Sequence, residues 1–393
     1  MLYFVIPLFV LTFLYAAALF KLRKGLSNLK AGTNKNQPSV SVVIAARNEE
    51  QTIRTCLSAV LNQSYPPEKV EIIAVDDRSE DRTADIVKSI SAAHRRVKLL
   101  QIKDRSPHLA PKKRAIDLGI QHAVGDIIVT TDADCQPGPE WLSELVKYFE
   151  PQVGLVAGYN PYRTDDSIFQ QMLALDYFAM ACVAAASAGL SYPISCSGGN
   201  LAYRKELYVQ IGGFKHLGKW VSGDDDFFLQ QVREKTNWKI RYATHPNTFV
   251  PTAPPANLKE FVNQRIRYAS KCAHYSRSVT LGLLGVYLLN LLIVAGIPGT
   301  LFEPSLLFYW LATLFIKTAS ESSFLLQGDQ IFGMSHKKTT FVITAIIHPF
   351  YIVLAGLLGQ LSHFRWKGDS YSQKVKNATQ TIMAKDLTKV TIT

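Results

Sequence analysis

Segments with the character of β-strands and α-helices alternate through the first part of the chain. Runs rich in β-branched residues predict strands at 40–45, 70–75, 97–102 and 126–131, and the stretches between them predict helices at 49–61, 83–92 and 112–122. This alternation predicts an α/β fold with a mainly parallel sheet, because parallel neighbours need a crossover connection, usually a helix. Ligands of such sheets bind beyond the carboxyl ends of the strands.

Two of the predicted strands end in acidic residues. Asp76-Asp77 closes the second strand, and Asp132-Ala133-Asp134 closes the fourth. Acids at one sheet edge suit a nucleoside diphosphate held through a divalent ion, Mg²⁺ or Mn²⁺, because hard cations prefer oxygen ligands. Neither a G-x-G-x-x-G after the first strand nor a G-x-x-x-x-G-K-[ST] occurs, which argues against dinucleotide oxidoreductases and P-loop enzymes. Asp-x-Asp alone is weak evidence, because surface loops often contain it.

The two ends of the chain are apolar. Residues 1–20 carry no charge and are followed by Lys21, Arg23 and Lys24. A signal peptide would place its charges before the apolar run, so this order predicts a membrane anchor with its N-terminus outside. Three further apolar stretches follow at 279–302, 306–326 and 340–361.

The arrangement of the C-terminal stretches is left open by the sequence. Lys317 and Glu321 lie one helical turn apart in the middle stretch and are expected to pair. Three full spans would place the tail outside, whereas its basic start at 363–367 favours the cytoplasm; a re-entrant or interfacial middle stretch would reconcile the two. The stretch 168–190 is also apolar but contains Gln170, Gln171 and Asp176, which predicts a buried or interfacial helix.

The charge balance of the chain is strongly basic. Lys and Arg number 43 against 31 Asp and Glu, giving a formal net charge of +12. These cations cluster at the membrane flanks and in 259–275, without a nucleic-acid-binding motif, so we expect no nucleic acid partner. The five cysteines are scattered, odd in number and lack a C-x-x-C pair, which argues against a disulfide framework or a zinc cluster.

Several later motifs occur in a characteristic order: Ser197-Gly198-Gly199-Asn200, Ile211-Gly212-Gly213-Phe214, Asp224-Asp225-Asp226 and Gln264-x-x-Arg267-Tyr268. With the acid-tipped strands, they make the region 38–275 resemble the membrane-bound family 2 glycosyltransferases, relatives of ceramide glucosyltransferase and of polysaccharide synthases. The resemblance implies a GT-A fold flanked by transmembrane helices. It is much less specific for the substrate.

Roles in donor binding follow from the resemblance. Arg47 and Glu49 match the loop that cradles the nucleotide base, although Ala45 and Ala46 depart from the usual Pro and aromatic residue there. Asp77 matches the residue that contacts the base or ribose, and Lys112 matches the lysine next to the diphosphate, with Lys113 as an alternative. Asp132 matches the first acid of the Asp-x-Asp motif, and Asp134 matches the metal ligand.

Roles in catalysis and acceptor binding follow in the same way. The acidic run implies a catalytic base at Asp225, with Asp224 as the alternative if the motif shifts by one residue. Gln264, Arg267 and Tyr268 match the Gln-x-x-Arg-Trp motif that borders the acceptor and the donor diphosphate, except that Tyr replaces Trp. The surrounding helix also has the composition of an interfacial amphipathic helix.

The resulting expectation is a metal-dependent inverting hexosyltransferase that moves a sugar from a nucleotide-diphospho-sugar to a membrane lipid or another membrane-associated hydroxyl. A UDP-sugar is the favoured donor. The alternative is a processive polysaccharide synthase subunit extending a poly-N-acetylglucosamine or cellulose-like polymer, which needs more spans to line a channel. A transporter would leave the central domain without a role, and a catalytically inactive sensor would not need the full acid set.

We expect an integral protein of the cell inner membrane with its catalytic domain in the cytoplasm. The predicted division is an anchor, a basic linker, a GT-A domain ending in the interfacial helix, C-terminal spans and a basic tail, at 1–20, 21–37, 38–275, 276–362 and 363–393.

Overall fold

The computed structural model describes residues 1–104, 109–165, 167–215, 223, 225–361, 364–366, 369–371 and 391–392. The chain separates into two compact units. The first, which we call the helical unit, comprises Met1–Leu29, Thr164–Leu190 and Pro254–Phe364. The second, the sheet unit, comprises Lys30–Arg163, Ser191–Ala253 and Arg365–Thr393. The five-part division predicted above stays a prediction.

The sheet unit is built on an eight-stranded sheet in the order β10-β3-β2-β1-β4-β6-β5-β7. Its strands are β1 Val40–Ala46, β2 Val70–Asp77, β3 Val97–Ile102, β4 Ile127–Asp132, β5 Val153–Gly158, β6 Leu201–Arg204, β7 Lys239–Ala243 and β10 Thr391–Ile392. Its helices are α2 Ile53–Leu61, α3 Thr83–Ala93, α4 Pro111–His122, α5 Trp141–Leu145, α7 Lys205–Gln210 and α8 Asp226–Lys235. Two short strands, β8 Phe364–Trp366 and β9 Asp369–Tyr371, pair with each other.

Most strand pairs in the large sheet are parallel. β1 pairs in parallel with β2 and β4, β2 with β3, and β5 with β7, whereas β6 runs antiparallel to both β4 and β5 and β10 antiparallel to β3. The four strands and three helices predicted in the first part of the chain are all present, with ends within a few residues of the predicted ones. The prediction of an α/β fold with a mainly parallel sheet is therefore confirmed.

The register of the central strands brings their acidic ends to one edge. Ala46 of β1 is level with Asp76 of β2, and Ala45 is level with Asp132 of β4. The strands can end together in this way because their interiors are apolar on both faces: in the run Val40–Ala46 only Ala45 is not fully buried. Each Val or Ile buried here contributes about 1.5–3 kcal/mol of transfer free energy. The hydrophobic core thus fixes the strand ends relative to one another.

The helical unit contains six long helices in the described residues. They are α1 Leu2–Ser27, α6 Ile168–Gly189, α9 Leu258–Lys271, α10 Arg277–Phe302, α11 Leu306–Phe332 and α12 Lys338–Leu361. Four helices in the part of the chain that the structure describes are long and apolar enough to cross a membrane, namely α1, α6, α10 and α12 up to Gly359. The more polar α11 is not one of them.

Close packing in the helical unit depends on small residues. Gly25 of α1 lies against the backbone of Ala186 in α6, and Gly189 lies against the backbone of Gly25, so that a Cβ atom at either glycine would overlap a carbonyl oxygen. Contacts of this kind let helix backbones approach closely in an apolar environment. They explain why α6, although interrupted by polar residues, packs with the N-terminal helix.

A buried ion pair on α11 also accepts a hydrogen bond from α1 and so connects these two helices. Lys317 Nζ lies 2.8 Å from Glu321 Oε1 on α11, which confirms the predicted pairing. Tyr15 of α1 donates a hydrogen bond of 2.6 Å to the same Glu321 oxygen. Charges in apolar segments are costly unless they are paired, so this arrangement removes most of that cost.

At the end of the sheet opposite the acidic edge, the carboxylate of Glu71 connects β2 to β1, to β3 and to the segment before β4. Glu71 of β2 accepts hydrogen bonds from Ser41 Oγ (2.5 Å), Lys98 Nζ (2.8 Å) and the Val124 amide (2.5 Å). Burial alone would raise the pKa of Glu71, but these donors outweigh it and hold that pKa below its usual value.

We predict that Glu71→Gln lowers the stability of the sheet unit by about 1–2 kcal/mol at pH 7, because charge-assisted hydrogen bonds are lost. A group with a lowered pKa in the folded state stabilises the fold above its unfolded pKa of about 4.3 and loses that contribution as the pH falls through the folded pKa. The apparent Tm of the wild type should therefore fall more steeply below pH 5 than that of Glu71→Gln. Thermal unfolding of the purified protein between pH 3.5 and 7 measures both effects.

The control for this comparison is Glu68→Gln, because Glu68 is exposed in the same segment. It should leave the apparent Tm and its acid dependence unchanged. An equal acid dependence in the wild type and Glu71→Gln would contradict the assignment.

Candidate active site

The loops that follow β1 and β2 are joined by reciprocal hydrogen bonds. The Asn48 amide donates to Ser79 Oγ (3.0 Å), and the Glu80 amide donates to Asn48 Oδ1 (2.9 Å). Asn48 occupies the left-handed region at φ 53°, which Asn tolerates better than most residues. The Glu49 amide donates to Thr83 Oγ1 over 2.7 Å. Arg47 and Glu49 are thus carried by a loop with a fixed shape above the sheet edge.

The two acids at the end of β2 have different surroundings. Asp77 is buried and accepts two hydrogen bonds from Arg78, from Nε at 2.8 Å and from Nη2 at 3.2 Å. Arg78 has φ 56°, so this bidentate pair stabilises a backbone conformation that non-glycine residues seldom adopt. Asp76 is also buried, and burial raises its pKa. The structure therefore gives Asp77 a cationic neighbour that the sequence reasoning had not considered.

The fourth strand presents Asp132 to a lysine from α4. Lys112 Nζ lies 2.6 Å from Asp132 Oδ1, and both side chains are partly accessible. Lys113, the alternative, is fully buried. Of the two lysines, only Lys112 is accessible, and its charge lies at the acidic edge.

Asp134 lies two residues beyond Asp132 and has few neutralising neighbours. Its Oδ2 accepts a hydrogen bond of 3.3 Å from Thr252 Oγ1. Burial raises the pKa of Asp134, and the charges of Asp132 and Glu49 raise it further. A carboxylate whose pKa is raised by neighbouring carboxylates is typical of cation sites, since a bound cation relieves the repulsion.

A potential metal centre is present here among the described residues. One ligand atom each of Asp132, Asp134 and Cys135 lies within 4.8 Å of the others. Burial raises the pKa of the Cys135 thiol, which keeps it protonated and a poor ligand for a hard cation. The two carboxylates fit Mg²⁺ or Mn²⁺, the ions expected from the sequence.

The first glycine pair of the later motifs borders this centre. A Cβ atom on Gly199 would lie 3.0 Å from Asp132 Oδ2 and 3.1 Å from Asn160 Nδ2. Asn200 is buried and accepts from Trp141 Nε1 while donating to two backbone carbonyls. In this motif, Asn200 therefore anchors the loop and Gly199 leaves room for Asp132.

The acidic run near α8 contains residues with distinct environments. Asp226 is buried, and its Oδ1 accepts from Ser195 Oγ (2.8 Å) and the Cys196 amide (3.1 Å). Asp225 is partly accessible; its Oδ1 accepts from the Asp226 amide, and its Oδ2 accepts from the Gly198 amide at 3.1 Å. Asp224 lies outside the described residues. Asp226 stabilises the local fold, whereas Asp225 retains access to solvent.

The Gly198 amide connects two parts of this site. While Gly198 N–H donates to Asp225, its carbonyl accepts from Thr130 Oγ1 of β4 over 2.9 Å. Thr130 lies two residues before Asp132 on the same strand. The loop of Ser197-Gly198-Gly199 thereby holds Asp225 and borders Asp132 at the same time.

The remaining predicted residues belong to the helical unit. Gln264, Arg267 and Tyr268 all lie on α9 and are partly buried. The guanidinium carbon of Arg267 lies 5.6 Å from the centroid of the Tyr268 ring, a cation–π distance.

Three residues near the acidic edge were missed by the sequence reasoning. Asn160 donates to the Val250 carbonyl and lies beside Gly199, Thr252 donates to Asp134, and Arg163 Nη2 lies 3.5 Å from the Asp134 carbonyl oxygen. They come from segments after β5 and β7 that carry no recognisable motif. Tertiary contacts, among them the pairing of Tyr162 with Thr252, bring these segments together.

A sheet of this topology with carboxylates at its acidic edge is typical of the GT-A fold of nucleotide-sugar transferases, and the comparisons with known proteins agree. Residues 41–214 match the family model "Glycosyl transferase family 2". Over this region the chain matches a family 2 glycosyltransferase domain, the family that the motifs indicated.

Curated relatives support the same family. The chain is 30% identical over 239 residues to "Probable glycosyltransferase YdaM" of Bacillus subtilis, which covers 60% of this chain and 55% of that protein. It is 26% identical over 239 residues to "Poly-beta-1,6-N-acetyl-D-glucosamine synthase" of Staphylococcus aureus, covering 58% and 53%. The chain thus spans about half the length of these relatives.

A solved structure has the same fold. The mannosyltransferase PcManGT from Pyrobaculum calidifontis, determined with GDP-Man and Mn²⁺, superposes with a TM-score of 0.60 over 91% of this chain and 98% of its own, at 20% sequence identity. This likeness confirms the GT-A fold.

The close approach of Gly199 to Asp132 leads to a testable prediction. Gly199→Ala should weaken Mn²⁺-dependent binding of UDP or GDP by about 10-fold or more, or ~1.4 kcal/mol, because the added methyl group displaces the Asp132 carboxylate. Isothermal titration with each nucleotide measures the effect.

The matched control is Gly138→Ala, since a Cβ atom on Gly138 would meet no heavy atom within 4 Å. That variant should bind as the wild type does. Wild-type affinity in Gly199→Ala would show that the acidic edge near Asp132 is not part of the nucleotide site.

Proposed function

We propose that this protein transfers one sugar, with inversion, from a nucleotide-diphospho-sugar to a hydroxyl group of a membrane lipid, and that the donor is a UDP-sugar. The observation that carries the proposal is the loop of Ser197-Gly198-Gly199, which hydrogen-bonds Asp225 and borders Asp132. A candidate base and the candidate donor site are thereby held by a single rigid element. Such pre-organisation is what group transfer requires.

Donor binding is assigned to the acidic edge and its loops. Arg47, Glu49 and Asp77 hold the base and ribose, and Lys112 with Asp132 lies next to the diphosphate. The repulsion between a carboxylate and an anionic diphosphate is relieved only when a cation lies near both. Lys112, which lies 2.6 Å from Asp132, is one such cation. Asp134, together with Asp132, would hold Mg²⁺ or Mn²⁺, which neutralises charge on the leaving diphosphate.

Asp225 is assigned the role of general base. As the acceptor oxygen bonds to the anomeric carbon, its proton passes to the Asp225 carboxylate. The bond between that carbon and the diphosphate oxygen breaks, and its electron pair leaves with the nucleoside diphosphate. Attack from the opposite face inverts the anomeric centre. The hydrogen bonds from the Gly198 and Asp226 amides fix the orientation of the carboxylate.

A membrane acceptor is favoured by the helical unit. Four of its described helices are long and apolar enough to cross a bilayer, and α9, with Gln264, Arg267 and Tyr268, has the composition of an interfacial helix. We therefore assign these three residues to the acceptor and diphosphate, and the protein to the cell inner membrane with its sheet unit in the cytoplasm.

A processive polysaccharide synthase is the second candidate. It is favoured by the similarity to the Staphylococcus aureus synthase at 26% identity. The four candidate spans found among the described residues favour single transfer, because a polymer channel is usually lined by several more helices.

The test of both candidates uses the full chain in lipid nanodiscs with Mn²⁺, a lipid extract and a panel of radiolabelled UDP-sugars and GDP-mannose. We expect label from a UDP-sugar in one lipid-soluble product whose mass increases by a single sugar. Insoluble product of high mass would establish the processive alternative, and incorporation from GDP-mannose alone would overturn the UDP assignment. Release of free sugar without any acceptor product would contradict transfer.

The same assay examines the base. Asp225→Asn should lower kcat by about 10²–10⁴-fold without weakening UDP binding, because a general base contributes that much. Asp226→Asn should instead lower the apparent Tm, since Asp226 holds Ser195 and Cys196. An active Asp225→Asn with an inactive Asp224→Asn would move the base by one residue.

A further inference from the structure

Arg265 is the most buried charged residue of α9. Its side chain is 7% exposed, whereas its neighbours Gln264, Arg267 and Tyr268 are all partly accessible. The opposite charge comes from α6: Arg265 Nη2 lies 2.5 Å from Asp176 Oδ2, and the Asp176 side chain is 10% exposed. The two helices are therefore joined by a buried ion pair within the helical unit.

A third helix contributes to the same pair. The Tyr351 hydroxyl of α12 donates a hydrogen bond to the other carboxylate oxygen of Asp176. The Tyr351 ring packs edge-to-face on the Phe261 ring of α9, with centroids 5.7 Å apart. We call Asp176, Arg265 and Tyr351 the α9 clamp, because together they attach α9 to α6 and α12.

The clamp reaches one of the predicted site residues directly. The guanidinium carbon of Arg265 lies 5.4 Å from the centroid of the Tyr268 ring and 4.9 Å from that of Phe261. A guanidinium held by Asp176 on one side and by an aromatic face on another has little freedom to turn. The position of the Tyr268 ring on its helix therefore depends on the ion pair.

Stability alone does not account for such a pair. Replacing a buried ion pair by apolar residues of similar volume is often neutral or stabilising, whereas removal of one partner is strongly destabilising. In some proteins a buried polar or charged pair also selects one register or orientation of a helix. Charged residues in apolar helices accordingly mark functional regions.

We propose that the α9 clamp is a positioning cluster for sugar transfer: the Asp176–Arg265 pair and Tyr351 set the rotation of α9 and thereby present Gln264, Arg267 and Tyr268 to the reaction. The inference rests on the proposed function for its kinetic consequence. The structural part of the inference, that three side chains fix the rotation of α9, does not depend on which sugar or acceptor is used.

The decisive variant removes both charges at once. Asp176→Leu with Arg265→Met should fold with an apparent Tm close to that of the wild type. It should nevertheless lose about 10- to 100-fold in kcat, because small misplacements of positioning groups have effects of this size. The affinity for UDP, measured without acceptor, should stay within about 2-fold of the wild-type affinity. This change is well below a 10-fold loss of affinity, which corresponds to about 1.4 kcal/mol.

The matched control is a second buried ion pair of this unit. Lys317→Met with Glu321→Leu also deletes an ion pair in the helical unit, but α11 carries none of the predicted site residues. It should retain the wild-type kcat. Tyr351→Phe keeps both charges and removes one hydrogen bond, so it should lower kcat by a few-fold without loss of folding.

Hydrogen–deuterium exchange of the same variants in nanodiscs separates this proposal from the proposed function. The amides of 258–271 should exchange about 10-fold faster when the clamp is removed and at the wild-type rate in the Lys317/Glu321 control, since exchange reports local opening. Unchanged exchange and unchanged kcat in the clamp variant would overturn the inference. A wild-type protein that transfers no sugar would overturn the function, while the exchange rates would still decide the clamp.

Discussion

Repulsion among the carboxylates at the acidic sheet edge is the interaction on which the rest of the structure depends. Burial and the charges of Asp132 and Glu49 raise the pKa of Asp134, while Lys112 lies in direct contact with Asp132. Charge held together in this way costs stability, and the apolar interior of β1, β2 and β4 offsets the cost because it fixes the strand ends in register. In the proposed function, a divalent cation with an anionic diphosphate turns this unfavourable arrangement into a favourable one.

Much of the sheet could be predicted from the sequence, and so could the acids at its edge. β-Branched runs bounded by polar turns predict strands, and parallel topology then brings their ends together without further information. The contacts that define the site could not be predicted. Thr252 and the Gly198 amide reach Asp134 and Asp225 through tertiary packing across tens of residues, as Asn160 reaches its place beside Gly199, and no local pattern marks these contacts. The separate roles of Asp225 and Asp226 likewise depend on which carboxylate meets Ser195.

The helix α6 is a second example of a tertiary contact that the sequence alone does not reveal. Hydropathy alone treats Asp176 as an interruption and predicts a buried or interfacial helix, since an unpaired carboxylate is costly in an apolar setting. The partner of Asp176 lies 89 positions further along the chain, at Arg265, and the hydrogen bond from Tyr351 completes its surroundings. Once paired, Asp176 is compatible with a helix that packs among the apolar helices of the helical unit.

The central claim is that the acidic edge holds a nucleotide through a divalent ion, and nucleotide binding with and without metal tests it most directly. Titration of UDP and GDP into the wild type, into Asp134→Asn and into Asp126→Asn, with Mn²⁺ or with EDTA, makes the comparison; Asp126 is exposed at the opposite end of β4. The account predicts Mn²⁺-dependent binding in the wild type and in Asp126→Asn and its loss in Asp134→Asn. Equal affinity in all three proteins, or binding unaffected by EDTA, would contradict it.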